Sequence, residues 1–129
     1  MKRIRWALLA GFVLTLSLPV RAADAVDELL ARYQAEGAQS IDAARGERLW
    51  MQQHGDRSCT SCHGKDLTKP GKHQRTGKTI EPMAPSVNPE RLTDVRKIEK
   101  WFLRNCKWTL GRECSAQEKA DILAWLRTL

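Results

Sequence analysis

Two cysteines and a histidine lie close together in the segment CTSCH, which runs from Cys59 to His63. Such a cysteine pair is typical of a redox dithiol, a structural zinc site or the attachment site of a c-type haem. A thioredoxin-like dithiol lies between a strand and a helix, whereas here a predicted helix precedes the motif. A zinc site needs a second ligand pair, and Cys106 and Cys114 are further apart than such pairs usually are. We therefore interpret CTSCH as a haem c motif, because two thiols at this spacing can add to the two vinyl groups of one porphyrin.

The motif assigns a role to each of its three chemical groups. Cys59 and Cys62 are predicted to hold the haem covalently, and His63 is predicted to be the proximal axial ligand of the iron. Covalent attachment suits an exported protein, in which a loosely held cofactor would be lost. The prediction is therefore one covalently bound haem c.

The first 22 residues have the features of a secretory signal peptide. The basic start MKRIR is followed by an apolar segment from Trp6 to Leu18 and by small residues that suit cleavage after Ala22. The apolar segment is shorter than the roughly 20 residues that span a bilayer. We expect a signal peptide over residues 1–22, one domain over residues 23–129, a periplasmic location and no stable membrane insertion after cleavage. An uncleaved N-terminal anchor is the alternative.

Much of the net charge belongs to this signal peptide. The full chain has 22 Lys and Arg against 15 Asp and Glu, a formal net charge of +7. Removal of residues 1–22 takes away four basic residues and no acidic one, which lowers the net charge to +3. The other basic residues are spread along the chain, so we expect no nucleic-acid partner.

Apolar residues recur at helical spacing in four segments of the predicted mature chain. We predict helices from about residue 24 to Gly37, from Ser40 to Gly55, after Thr93, and after Ser115. The three residues Ser40, Thr93 and Ser115 are candidate N-caps, and Glu118 would complete a capping box with Ser115. No strand is predicted. Residues 56–89 are predicted to be a loop, and a loop of this length in so small a domain is typically functional.

Two of these helices resemble the terminal helices of class I cytochromes c. The segment ARGERLW, residues 44–50, resembles the N-terminal helix, and ADILAWLRTL, residues 120–129, resembles the last one. In such proteins a small residue lets the two helices cross closely, so Gly46 is expected to contact Trp125 or Leu126. The resemblance implies an all-α, class I cytochrome c-like fold in which about four helices surround one covalently attached haem.

The motif leaves open which residue lies on the other side of the iron. Met83, in EPMAPSVNP, is the residue type that ordinary electron-transfer cytochromes of this class use, but a whole helix follows it before the C-terminal helix. A simple apolar contact with the haem is equally compatible with Met83. His54 and His73 have polar neighbours and are expected at the surface. Asn105 lies on the apolar face of its helix, where a buried amide needs a partner; bonding to the end of its own helix is the alternative.

A closer resemblance is carried by CTSCH, EPMAPSVNP and the block WFLRNC, GREC and EKADILAWL. These segments resemble the family of the sphaeroides haem protein and cytochrome c″ over nearly all of the predicted mature chain. In that family a nitrogenous residue directly before the first cysteine of a disulfide binds the iron and dissociates on reduction. Some members have histidine at this position and others asparagine. The resemblance therefore implies a Cys106–Cys114 disulfide and Asn105 as the distal ligand, with Met83 as the alternative.

An amide oxygen is a hard, neutral donor, which should bind Fe(III) better than Fe(II). We therefore expect a periplasmic monohaem cytochrome whose distal ligand dissociates on reduction and gives access to O2, NO or CO. The resemblance adds a multihaem cytochrome c as electron donor and slow reduction of O2 or nitrogen oxides, so that enzymatic activity stays an open question. The alternatives are a plain electron-transfer cytochrome with His63 and Met83 as axial ligands, or a gas or redox sensor.

Overall fold

Helices dominate the described part of the chain, as the sequence predicts. The computed structural model describes residues 22–129, so the predicted signal peptide lies, apart from its last residue, outside the described residues. The helices are α1 (Ala22–Ala35), α2 (Ala43–Met51), α3 (Thr60–His63), α4 (Val95–Leu110) and α5 (Ala116–Leu126). Within residues 22–129, no helix combines the length and the apolar character needed to cross a membrane.

The core forms where α5 packs against α2 on one side and α1 on the other. Leu29 and Tyr33 of α1 and Leu123 of α5 are fully buried there. Gly46 permits the close approach of α2, because a Cβ atom at this position would collide with the backbone carbonyl of Asp121. The predicted close crossing is confirmed, and the atoms nearest to a Cβ at Gly46 belong to Asp121 and Ile122 rather than to the expected Trp125 or Leu126. The helices meet at the backbone one turn earlier in α5.

A buried carboxylate joins the same two helices. The Asp121 side chain is 1% exposed, and it accepts hydrogen bonds from the backbone N–H of Asp42 at 2.8 Å and from the Gln117 side chain at 3.1 Å. The Arg45 guanidinium also donates to both of its oxygens, at 2.5 and 3.0 Å. Each carboxylate oxygen thus has hydrogen-bond partners, which offset the cost of burying this polar group.

The helix caps confirm one prediction and correct two. Ser115 and Glu118 form the predicted capping box at the start of α5. Asp42, rather than Ser40, caps α2 by accepting from the N–H of Ala44. Asp94, rather than Thr93, caps α4 by accepting from the N–H of Lys97. Helix α2 also ends at Met51, four residues before the predicted stop at Gly55.

The segment between α2 and α4 is mostly irregular, as predicted. It also contains two short strands that the sequence did not predict. Strands β1 (Gly71–Lys72) and β2 (Thr79–Ile80) pair antiparallel, with Gly71 opposite Ile80. The hairpin packs closely on the end of α3, because a Cβ atom at Gly71 would collide with the backbone carbonyl of Cys62. The expectation of no strand is therefore wrong over these four residues.

Helix α4 is held to the core by one carboxylate near its start. Glu99 accepts hydrogen bonds from the hydroxyl of Tyr33 in α1 at 2.6 Å and from the ammonium of Lys119 in α5 at 3.0 Å. The Lys119 ammonium also lies 5.2 Å from the centre of the Tyr33 ring. Near its other end, α4 is joined to the start of α5 by the predicted Cys106–Cys114 disulfide, which the structure contains.

Candidate functional site

A large cavity lies between the CTSCH segment, α4 and the irregular segment that precedes α4. Its volume is about 660 Å³, within the usual range for cofactor sites, and most of its lining is apolar. Cys59, Cys62 and His63 line it, and so do both candidate distal ligands, Met83 and Asn105. The structure therefore brings together all five residues that the sequence predicts to attach or ligate the haem.

Helix α3 and the residue before it present the motif. Cys59 is the N-cap residue of α3, and the preceding Ser58, 2% exposed, holds the turn through hydrogen bonds with Ser61. The thiols of Cys59 and Cys62 are free and half-buried. Burial raises the pKa of Cys59 to about 11, whereas a redox-active dithiol needs a cysteine with a lowered pKa. Cys59 therefore lacks the lowered pKa of a redox-active thiol.

The two other cysteines are not available as ligands for a zinc site. Cys106 and Cys114 are bonded to each other, with an S–S distance of 2.00 Å, and neither is free to complete a metal site with the motif. Across the described side chains of residues 25–129, no three His, Cys, Asp or Glu residues are grouped so as to hold a metal ion. A four-ligand zinc site built on the CTSCH motif is thus incompatible with this arrangement.

His63 has the environment of an axial ligand. Burial, with a smaller contribution from the positive charge of Arg91, lowers the pKa of His63 to about 4. The imidazole is therefore neutral at physiological pH, which is the form that binds metals. Its ring packs at 5.2 Å from the indole of Trp50, which in turn lies 5.7 Å from that of Trp125. These contacts join the motif to α2 and α5.

A buried indole at the cavity supports the fit of a haem. Trp50 lines the cavity, is 6% exposed, and its Nε1–H is buried without a hydrogen-bond partner among the described residues. Buried polar groups are rarely left in this state. A large apolar space, two thiols, a neutral imidazole and an unused donor beside them together fit a covalent haem.

The two candidate distal ligands differ in how they are held. Met83 is half-buried against the core, and its backbone N–H donates to the carbonyl of Leu67 at 3.0 Å. Asn105 belongs to the regular helix α4 and directly precedes Cys106 of the disulfide, but it is exposed, so the expectation of a buried amide is wrong. Both residues line the cavity, so its geometry permits either as a ligand.

The two remaining histidines are less exposed than the sequence predicts. His54 is half-buried, and its Nε2 is buried without a partner among the described residues. His73 is also half-buried and lines the cavity, but its Nδ1 accepts hydrogen bonds from the backbone N–H groups of Arg75 and Thr76. Nδ1 is thereby engaged in the hairpin turn.

Sequence reasoning did not single out Arg91. Arg91 lines the cavity, and its guanidinium donates to the carbonyls of Pro82 at 2.8 Å and Glu81 at 2.6 Å, the two residues directly before Met83. Arg91 thus fixes the segment that carries Met83, and it places a positive charge beside the cavity. An arginine within the Pro-rich segment EPMAPSVNPER was the available signal.

The comparisons with known proteins agree with this geometry. Residues 36–126 match the family described as "domain of unknown function (DUF1924)". The chain is 48% identical over 104 residues to the cytochrome c-type protein SHP of Cereibacter sphaeroides, across 77% of this chain and 80% of that protein. Both SHP and cytochrome c″, described next, are cytochromes c.

Two solved structures show the same fold. The structure of oxidised SHP, an oxygen-binding cytochrome c, superposes with a TM-score of 0.75 at 46% identity, over 81% of this chain and 96% of that one. Oxidised cytochrome c″ of Methylophilus methylotrophus gives a TM-score of 0.71 at 32% identity, over 81% and 94% of the two chains. The predicted class I cytochrome c-like fold is confirmed, and so is the predicted cofactor, a covalently bound haem c.

Proposed function

We propose a function for this chain from the premise that it belongs to the family of the cytochrome c-type protein SHP and cytochrome c″, and is therefore a monohaem c-type cytochrome. It works in the periplasm, where it accepts electrons from another cytochrome c and binds or slowly reduces small diatomic molecules. The observation that supports this proposal most strongly is the position of Asn105, at the cavity and next to the Cys106–Cys114 disulfide.

The attachment residues have distinct roles in this proposal. The thiols of Cys59 and Cys62 would hold the haem covalently, and the neutral imidazole of His63 would bind the iron. The haem, when bound, supplies an iron that changes between Fe(III) and Fe(II) and can bind a diatomic molecule. Trp50 packs on the imidazole at 5.2 Å and limits its rotation.

Asn105 gives the site its dependence on redox state. Its side-chain oxygen is a hard neutral donor, which ligates ferric iron and has little affinity for ferrous iron. Asn105 would therefore hold the iron of the oxidised protein and release it on reduction, which would leave a binding position for O2, NO or CO. The freed amide N–H group is then a hydrogen-bond donor on the distal side. The likeness to SHP, whose solved form is named an oxygen-binding cytochrome c, supports this assignment.

The electron donor and the location are further parts of the proposal. The predicted signal peptide over residues 1–22 supports export to the periplasm, with the mature domain at residues 23–129. A multihaem cytochrome c is the electron donor that the family resemblance favours. Among the described residues, no carboxylic acid lines the cavity as a buried proton donor, since Glu81, Glu90 and Asp94 of the lining are exposed or half-exposed. Slow turnover or reversible binding is therefore the expected chemistry.

Met83 supports one alternative function. Since Met83 lines the same cavity and its segment is fixed by Arg91, it could ligate the iron permanently. The protein would then be a plain electron-transfer cytochrome with His63 and Met83 as axial ligands, and it would not bind diatomic molecules.

Substitution of each candidate ligand distinguishes the two functions. We expect Asn105→Ala to convert the ferric protein from a six-coordinate low-spin form to a high-spin form, and Met83→Leu to leave the ferric spectrum unchanged. Met83→Leu is the matched control, because leucine keeps the apolar volume and lacks the sulfur. An unchanged spectrum in Asn105→Ala together with a high-spin Met83→Leu would refute the proposal and establish the alternative.

A further inference from the structure

Arg57 connects the segment that leads into the CTSCH motif with the far end of α4. Its guanidinium donates a hydrogen bond to the backbone carbonyl of Trp108 at 2.9 Å. The same guanidinium lies over the Trp108 indole, 4.8 Å from the centre of the ring. One arginine thus makes a charge-assisted hydrogen bond and a cation–π contact with a single residue of α4.

The accepting carbonyl belongs to the part of α4 that needs a partner. Helix α4 ends at Leu110, with Gly111 in the left-handed conformation (φ +70°) after it. The last four carbonyls of a helix have no partner within the helix, and that of Trp108 is among them. A positive charge at this end also interacts favourably with the helix dipole. Arg57 therefore stabilises the final turn of α4 from outside the helix.

The backbone at Arg57 is held in place by hydrogen bonds. It forms a bridge with the backbone of His54. The His54 N–H donates to the carbonyl of Arg57 at 2.7 Å, and the Arg57 N–H donates to the carbonyl of His54 at 3.1 Å. Ser58 follows directly, and its hydrogen bonds with Ser61 hold the start of α3. The position of Arg57 is thereby tied to that of Cys59, one residue after Ser58.

Trp108 and Asn105 are neighbours on α4. They are three residues apart, so their side chains lie side by side on the helix surface, and both line the cavity. The contact with Arg57 therefore joins the end of α4 that carries Asn105 directly to the segment that carries the haem-attachment residues.

We infer that Arg57 is a positioning residue for Asn105: by holding Trp108, it keeps the last turns of α4 at the distance from the CTSCH motif that lets the amide reach the iron. This inference rests on the proposed role of Asn105 as the distal ligand. Without the Arg57 contact, the end of α4 moves away from the CTSCH motif more readily. An external ligand then displaces Asn105 from ferric iron more easily.

Imidazole binding to the ferric holoprotein tests this role, because imidazole competes with Asn105 for the iron. The measurement is a spectrophotometric titration of the mature protein and of the variants Arg57→Ala, Asn105→Ala and the double variant. We expect Arg57→Ala to bind imidazole about tenfold more tightly than the unchanged protein, a ratio usual for coupled sites. In the Asn105→Ala background, Arg57→Ala should have no further effect, because it acts through Asn105.

Two further variants keep the test specific. Arg127→Ala is the matched control: Arg127 bonds Asp27 at 2.8 Å and joins the end of α5 to α1, so imidazole affinity should not change. Arg57→Lys keeps the charge but loses the planar stack on Trp108, and it should bind imidazole with intermediate affinity. If Arg57→Ala does not mature with haem, Arg57→Lys still decides the question. Hydrogen exchange of the α4 amides should quicken near Trp108 in both Arg57 variants.

The outcomes separate this inference from the proposed function. An Arg57→Ala variant with unchanged imidazole affinity, beside an Asn105→Ala variant that binds imidazole more tightly, would refute the role of Arg57 and leave that of Asn105 intact. An equal gain from Arg57→Ala in both backgrounds would also refute it, because Arg57 would then act on access to the cavity. An Asn105→Ala variant with unchanged affinity would refute the proposed function, and the role of Arg57 with it.

Discussion

Removal of the Cys106–Cys114 disulfide should destabilise the protein by an amount that follows from the size of its loop. The two cysteines are separated by 8 positions in the sequence. A cross-link of this span reduces the entropy of the unfolded chain, and the loop-closure relation gives about 2.5 kcal/mol of stabilisation at 25 °C. The double variant Cys106→Ala/Cys114→Ala should therefore lose about 2.5 kcal/mol of unfolding free energy.

Urea unfolding of the holoprotein, followed by circular dichroism, measures this loss. If the disulfide acts on the unfolded chain, the midpoint falls, while the denaturant dependence of the free energy rises slightly because the unlinked chain unfolds to a more open state. A loss below about 0.5 kcal/mol would refute the entropic reasoning, since it would mean that the loop is restricted equally without the bond.

The same variant should change the site as well. Asn105 precedes Cys106, and the disulfide and Arg57 both hold this end of α4. Loss of the bond should raise the high-spin fraction of the ferric protein. A purely structural disulfide would lower the unfolding free energy and leave the ferric spectrum unchanged.

Two other substitutions test the packing of the helices. Gly46→Ala should destabilise the protein by at least about 2 kcal/mol in thermal or urea unfolding, because the added Cβ collides with the backbone of α5. The control Glu47→Ala, at an exposed neighbouring position, should change the stability by less than about 0.5 kcal/mol. Equal effects of the two substitutions would contradict the close crossing of α2 and α5. Burial raises the pKa of Glu99, but hydrogen bonds from Tyr33 and Lys119 outweigh burial and leave it below the ordinary value of 4.5. The stabilisation by Glu99 is therefore complete above that pH and is lost as the pH falls through the lowered pKa, so Glu99→Gln should show a smaller drop in unfolding free energy between about pH 5 and pH 3 than the unchanged protein. An identical drop in both proteins would show that Glu99 is not responsible.

Local signals in the sequence predicted part of this fold, and their failures have physical causes. The Ser115–Glu118 capping box was predictable, because two residues three positions apart form it without help from the rest of the chain. Thr93 and Asp94 are adjacent and are both good N-caps, so the sequence does not distinguish them, and the structure uses Asp94. The hairpin was missed because strands of two residues are too short to show a period.

The candidate site was likewise predictable only in part from the sequence. CTSCH predicts haem attachment, because the spacing of its cysteines and histidine is itself the chemical requirement. The contact of Arg57 with Trp108 joins residues 51 positions apart, and it depends on where the loop after α2 meets α4. Likewise, the partner of Gly46 depends on the exact crossing of α2 and α5, which periodicity alone does not define.

The visible spectrum of the mature protein, oxidised and then reduced with dithionite, with and without CO, tests the central claim most directly. Dissociation of Asn105 on reduction predicts a low-spin ferric form, a high-spin ferrous form and immediate binding of CO. Methionine ligation predicts the weak long-wavelength ferric band of a sulfur-bound haem and a low-spin ferrous form that does not respond to CO. The first result would establish a redox-gated distal face, and the second would contradict it and identify Met83 as the ligand.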